Sequence, residues 1–284
     1  MSSSVPNFGI GTFKLRGNQC SAAISSALSI GYRSIDTARI YGNEISVGES
    51  IKISNILRSD IFITTKIAPD EQGKEKSFQS VISSLENLQI SYIDLVSIHW
   101  PGASKRPPSS SENRYLRHGT WRGLLKARSL GLVKYIGVSN FTVNHLEQLE
   151  EEFGSDGVPY VNQFELHPYC QQSSILQHCR SRGIICQAYS SFGGSSGQDL
   201  VSDPVLGSIA HAHNCTTRAV LLVWALQLGI AVIPKASSPE RLQANWDSYC
   251  AFINGDLVLS DEEMLHIAAL DKSYHYCWNP NLVA

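Results

Sequence analysis

Four side chains in the first hundred residues carry the chemistry to protonate an oxygen: Asp36 and Tyr41 in GYRSIDTARIYGNE, Lys66 near the end of IFITTKI, and His99 in IDLVSIHWP. A phenol has a reference pKa of about 10 and is a poor proton donor at neutral pH unless its anion is stabilised. A lysine cation about 4 Å away contributes roughly 4 kcal/mol at an effective dielectric of about 20, enough to lower that pKa by about three. Asp36 cancels part of this while keeping Lys66 charged and oriented. Tyr41 is thereby a candidate general acid, and His99 a candidate hydrogen-bonding partner for a carbonyl oxygen held between the two. None of the four is an obvious nucleophile toward carbon, so the reducing electrons of such a site are expected from a cofactor.

Each residue alone has an ordinary alternative. Asp36 can cap a helix or bind backbone, Tyr41 can pack, Lys66 can sit solvated at the surface, and His99 can be a satisfied core histidine. An acid, a base, a phenol and an imidazole at the ends of neighbouring strands favour the functional reading.

The elements that must position them alternate along the chain. Strand candidates are IGTF near Gly11, SIDTA near Asp36, IFITTKI near Lys66, IDLVSIHW ending at Trp100, KYIGVSN ending at Asn140, YVNQFEL near Gln163, IICQAYSS near Ser190 and IAVIPK ending at Lys235. Between them CSAAISSALSIG, SFQSVISSLENLQI, WRGLLKARSLG, TVNHLEQLEEEFG and SILQHCRSRG have a 3.6-residue period. Eight strands each followed by a helix, with no break in composition, predict an α/β fold: a single closed (β/α)8, or TIM, barrel over residues 1–284. Long loops are expected at about 101–119 and 192–204, with a tail at about 271–284. Both loops follow strand ends and are expected on the active-site face; for the Ser/Pro-rich first one, a disordered insertion without a role is the alternative.

A formal net charge of −2 with scattered basic residues argues against nucleic acid as a partner. Seven cysteines without a CxxC pair read as reduced thiols. MSSSVPNFGIG lacks the basic and apolar regions of a signal peptide, and no window reaches eighteen apolar residues. A cytoplasmic, monomeric protein with no membrane partner is expected, and the sequons at Asn140 and Asn214 mean nothing without secretion. His211 and His213 are two apart and face apart on a helix, with no third ligand, so no metal is expected. GIGTFKLRG is not a dinucleotide fingerprint, because Lys14 stands at its last glycine position, and GGSSG near Gly193 has the wrong spacing.

Along nearly its whole length the chain resembles the aldo-keto reductase superfamily, through GYRSIDTARIYGNE, LENLQISYIDLVSIHWP and IPKASSPERLQAN. The resemblance matches the family's catalytic tetrad at Asp36, Tyr41, Lys66 and His99, with the tyrosine as proton donor. It implies NADPH-dependent reduction of aldehydes or ketones to alcohols. From the residues alone, Lys235, Ser238 and Arg241 are a phosphate clamp or a solvated helix start; the resemblance implies the adenosine 2′-phosphate site. It also implies Ser139, Asn140 and Gln163 on the nicotinamide carboxamide, Tyr189 stacked on the ring, Asn245 at the adenine, and Thr12 and Ser190 as further cofactor contacts. Ser139 and Asn140 are alternatively an N-cap ahead of TVNHLEQL.

Phe13 and Trp100 are the walls expected for an apolar substrate slot, with Tyr115, Trp121 and Trp278 as further aromatic candidates, and aromatic or medium aliphatic aldehydes as the substrates for assay. Ala236, Ala244, Ser191, Gly194 and Phe13 depart from common family residues, and the N-terminus looks too short for the hairpin that plugs the barrel bottom in many relatives. A regulatory or sensor subunit that binds NADP(H) with little turnover is the rival reading. A barrel isomerase or aldolase using Lys66 as a Schiff base is another.

Overall fold

The β-branched runs form eight parallel strands: β1 (Ile10–Gly11), β2 (Ser34–Asp36), β3 (Phe62–Ile67), β4 (Ile93–Ile98), β5 (Val133–Ser139), β6 (Val161–Glu165), β7 (Ile185–Tyr189) and β8 (Ala231–Val232). Each pairs in register with the next. The computed structural model describes residues 5–284; Met1 to Ser4, the start of the domain expected over 1–284 and of the segment inspected for a signal peptide, lie outside the described residues.

The sheet closes on itself: Phe8 bridges Val232 in parallel, Gly9 N donates to Val232 O at 3.0 Å, and Val232 N donates to Asn7 O at 2.9 Å. Gly11 is required at this seam, because a Cβ there would stand 2.7 Å from the carbonyl oxygen of Ile233. β3 and β4 are buried along their whole length. Helices cover their outer face and side chains fill the barrel on the other, which is why these strands read as nearly continuous apolar runs.

Eleven helices cover the outside among the described residues: α1 (Gly17–Ile30), α2 (Glu44–Ile53), α3 (Lys74–Leu88), α4 (Glu112–Ser129), α5 (Val143–Phe153), α6 (Ser173–Ser181), α7 (Gln198–Val201), α8 (Pro204–Ala212), α9 (Thr217–Gln227), α10 (Pro239–Asn254) and α11 (Asp261–Ala268). At the barrel bottom Val5 packs with Phe62, Leu95 and Val161, and Tyr135 stacks on Tyr160 with ring centroids 4.0 Å apart.

The long stretches are less irregular than their composition implies. α4 begins at Glu112, inside the expected 101–119 loop. Its fully buried Arg117 donates to the carbonyls of Ala284 and Pro101 and to Gln148 Oε1, and Asn113 binds the carbonyls of Pro107 and Pro108. These tertiary partners hold a helical segment that local pattern does not announce. Likewise the 192–204 stretch contains α7 and the first residue of α8, whose N-cap Asp203 accepts from Val205 N at 2.9 Å and Leu206 N at 3.3 Å.

Candidate active site

Parallel strands of one barrel end on one rim, so residues distant in sequence meet there. Asp36 is the last residue of β2 and pairs with Thr64, which sets Lys66 two residues further along β3. Lys66 Nζ donates to Asp36 Oδ1 at 2.6 Å and to the carbonyl of Thr37 at 2.9 Å. The other Asp36 oxygen accepts from Gln163 Nε2 at 2.7 Å.

Tyr41 stands on a 3₁₀ turn, Arg39–Tyr41, closed by Gly42 in the left-handed region at φ 65°. That turn is anchored from both sides. Arg39 pairs with Glu71 at 3.1 Å and Glu44 at 3.4 Å, and Glu44 in turn accepts from Thr65 Oγ1 at 2.7 Å. Asn43 accepts from Thr37 Oγ1 at 2.6 Å and donates to the carbonyls of Thr12 and Leu15. The phenol ring consequently lies 5.6 Å from His99, edge-on, and 5.1 Å from Phe13, with Lys66 Nζ 5.4 Å from its centroid. The four residues share one mouth.

The electrostatics differ from the expectation in one respect. Burial pushes the Tyr41 phenol well above its usual range, reinforced by Asp36 and then Cys277. The Lys66 ammonium, bound to Asp36 and to the Thr37 carbonyl, does not offset that rise. Burial, opposed by Asp36, leaves the Lys66 ammonium below its usual range. His99 falls to about 3, first through burial and then through Lys66, so its imidazole is neutral at physiological pH; its Nδ1 is buried without a partner among the described residues. A protonated phenol thus faces a neutral imidazole.

The residues expected at a cofactor fall on the next part of the rim. Asn140, at φ 64°, donates to the carbonyl of His99 at 3.0 Å and to Ser139 Oγ at 3.0 Å, and accepts from Tyr189 OH at 2.7 Å. Gln163 also donates to Gln187 Oε1 at 2.7 Å, and Thr12 Oγ1 donates to the carbonyl of Asp36 at 2.9 Å. Ser190 Oγ lies 3.2 Å from Cys277 Sγ. Neither Ser139 nor Asn140 caps a helix, since Thr142 is the N-cap of α5. Ser238 caps α10, accepting from Arg241 N at 3.4 Å, while Lys235 and Arg241 are exposed and Asn245 is buried.

Phe13 is 43% exposed beside Tyr41. Trp100 is held by Gln72 Nε2 on its carbonyl at 2.7 Å and lines a cavity of about 330 Å³ with Ile40, Ser104, Arg106 and Val283. Trp121 is not a pocket wall: it is fully buried in α4, its Nε1 donating to the carbonyl of Asp156 at 2.9 Å. Tyr115 and Trp278 are exposed. His213 pairs with Glu263 at 2.9 Å.

Sequence reasoning missed two residues that hold this set in place, Gln187 and Thr37, and the buried Glu165 that binds the tail. Gln163 and Glu165 on β6, and Gln187 and Tyr189 on β7, are polar groups at a spacing of two on adjacent strands, and that spacing was the available signal. Partners supplied by the tail carry none.

The aldo/keto reductase family model matches residues 7–272. The chain is 40% identical over 278 residues to a glyoxal reductase of Bacillus subtilis, covering 98% of this chain and 93% of that one. It is 36% identical to methylglyoxal reductase DkgB of Yersinia pestis, with 95% and 94% covered. The crystal structure of MGS-M4, an aldo-keto reductase enzyme from a Medee basin deep-sea metagenome library, superposes with a TM-score of 0.88 at 36% identity, covering 98% of this chain and 96% of that one. With eight parallel strands carrying the expected groups to one rim, the chain belongs to the aldo/keto reductase family, and it is an oxidoreductase acting on aldehydes or ketones.

Proposed function

We propose that this protein reduces aldehydes or ketones to alcohols with NADPH, the proton coming from Tyr41. The observation that carries the reading is the pairing of a phenol that keeps its proton with a neutral imidazole, 5.6 Å between ring centroids, above a locked Asp36–Lys66 pair. A carbonyl oxygen between the two rings accepts from Tyr41 OH and is oriented by His99. As negative charge grows on that oxygen, the Tyr41 proton moves onto it, and Lys66 beneath the ring stabilises the phenolate left behind. Phe13 packs on one side of the Tyr41 ring, 5.1 Å between centroids, and shields that side of the phenol from water.

The dinucleotide supplies the hydride when bound. The donor set of the rim fits it. Both Gln163 amide hydrogens are committed to Asp36 and Gln187, so Gln163 meets a carboxamide through its oxygen, while the Ser139 hydroxyl is left to donate. Lys235 and Arg241 offer cations to a phosphate where the sixteen-residue α10 begins. Ser191 Oγ, two residues past the end of β7, is buried without a partner among the described residues, a polar group available to a polar ligand.

The names of the glyoxal and methylglyoxal reductases put small dicarbonyl compounds beside aromatic and medium aliphatic aldehydes as assay substrates. The test follows NADPH absorbance with such a panel for the natural protein and for Tyr41→Phe. Loss of turnover by about 10²–10⁴ with NADPH still quenching tryptophan emission is expected; an undiminished rate in Tyr41→Phe would remove the phenol from the mechanism.

A further inference from the structure

Glu165, the last residue of β6, is 1% exposed, and its carboxylate faces the tail. Oε1 accepts from Tyr276 N at 2.8 Å and Cys277 N at 3.2 Å, and Oε2 lies 2.9 Å from His275 Nδ1. His167 Nε2 completes the set at 3.2 Å from Oε1. A buried carboxylate is costly unless its lone pairs are filled, and here most of the filling groups belong to three consecutive tail residues.

The held residues reach the loop that follows β7. The Tyr276 ring lies against Gly193, where a Cβ would stand 2.8 Å from Cε2, and Gly193 itself is at φ 71°. Tyr276 OH donates to Asp199 Oδ1 at 2.6 Å, across the same loop. Cys277 Sγ touches Ser190 Oγ at 3.2 Å, beside Tyr189. One acid thus fastens a strap that runs over the end of β7 and grips residues 193–199.

We propose that Glu165 is a positioning residue, its carboxylate latching residues 275–277 so that Tyr276 and Cys277 hold the loop after β7 closed over the bound dinucleotide and thereby set how fast it leaves. This rests on the reading that Tyr189 and Ser190 face the dinucleotide. Glu165 touches neither the reacting oxygen nor its proton donor, so its effect falls on exchange and not on the chemical step.

The test uses the full chain as Glu165→Gln and Tyr276→Phe. The amide of Glu165→Gln keeps the volume but replaces one acceptor with a donor facing the tail donors. Hydrogen exchange of the 271–279 segment without NADPH is expected to rise about ten- to a hundredfold in Glu165→Gln, the loss of charge-assisted bonds, with the strands unchanged. NADPH dissociation, followed by stopped-flow tryptophan emission, is expected to speed by about the same factor, and by about two- to tenfold in Tyr276→Phe. Single-turnover rates from the preformed complex should keep their natural values.

Unchanged exchange in the tail would overturn the latch. Faster exchange with natural NADPH dissociation, or dissociation and single turnover altered together, would overturn the gate. If Glu165→Gln does not fold, natural dissociation in Tyr276→Phe overturns the gate by itself. Absence of NADPH binding by the natural protein would overturn the cofactor reading and the gate with it, while the exchange measurement still decides the latch.

Discussion

Lys66 Nζ sits 2.6 Å from Asp36 Oδ1, both side chains almost wholly buried, and this ion pair underlies the mouth of the barrel. Its geometry is fixed from outside: Gln163 occupies the other carboxylate oxygen and Thr37 a second ammonium hydrogen. Removing one charge leaves the other buried without compensation.

Lys66→Met is therefore expected to destabilise the fold by about 3–5 kcal/mol, and Asp36→Asn combined with it to recover part of that loss. Urea unfolding of the single and double variants gives the coupling directly. Strictly additive losses would contradict a tight pair.

Acid should weaken the protein before its carboxylates protonate. Burial, with Lys66, lowers His99 from 6.5 to about 3, and burial lowers His145, which bonds to the Val283 carbonyl at 2.9 Å, to about 4. Both are neutral when folded and take up protons at 6.5 when unfolded, so the unfolded state binds more protons below that pH. Stability then rises with pH, the contribution being complete above 6.5 and lost as pH falls toward 3 to 4. His99→Gln should flatten the slope of unfolding free energy between those limits; an unaltered slope would show that His99 titrates normally.

Lys235 and Arg241 stand exposed, without an ion-pair partner among the described residues, where α10 begins. Replacing each with Met should raise the Kd for NADPH about ten- to a hundredfold while leaving that for NADH nearly as it was. Equal losses for both nucleotides would place the 2′-phosphate elsewhere.

Arg117 ties the carbonyls of Pro101 and Ala284 to α4, and Val283 lines the same cavity as Trp100. Arg117→Met leaves those carbonyls unpaired, at about 1–3 kcal/mol of stability. A loosened Trp100 wall should raise KM for bulky aldehydes more than it lowers kcat. Thermal unfolding and steady-state kinetics with a small and a bulky aldehyde check both; identical changes for the two would remove Trp100 from the pocket.

The chain's own pattern was sufficient for the barrel and for the convergence of Asp36, Tyr41, Lys66 and His99, because strand period, helix period and strand-end position are local properties that a parallel barrel converts into proximity. Even β1 and β8, two residues each, were legible from the runs IGTF near Gly11 and IAVIPK ending at Lys235. The protonation of the site was not legible. From types and spacing Lys66 was expected to acidify Tyr41, whereas the fold turns the ammonium onto Asp36 and Thr37 and buries the phenol, and burial outweighs the charge. Nor did residues 112–119 or 275–277 announce their roles. Arg117 and Glu165 find their partners across the molecule, and a hydrogen bond between distant segments leaves no period in the sequence of either.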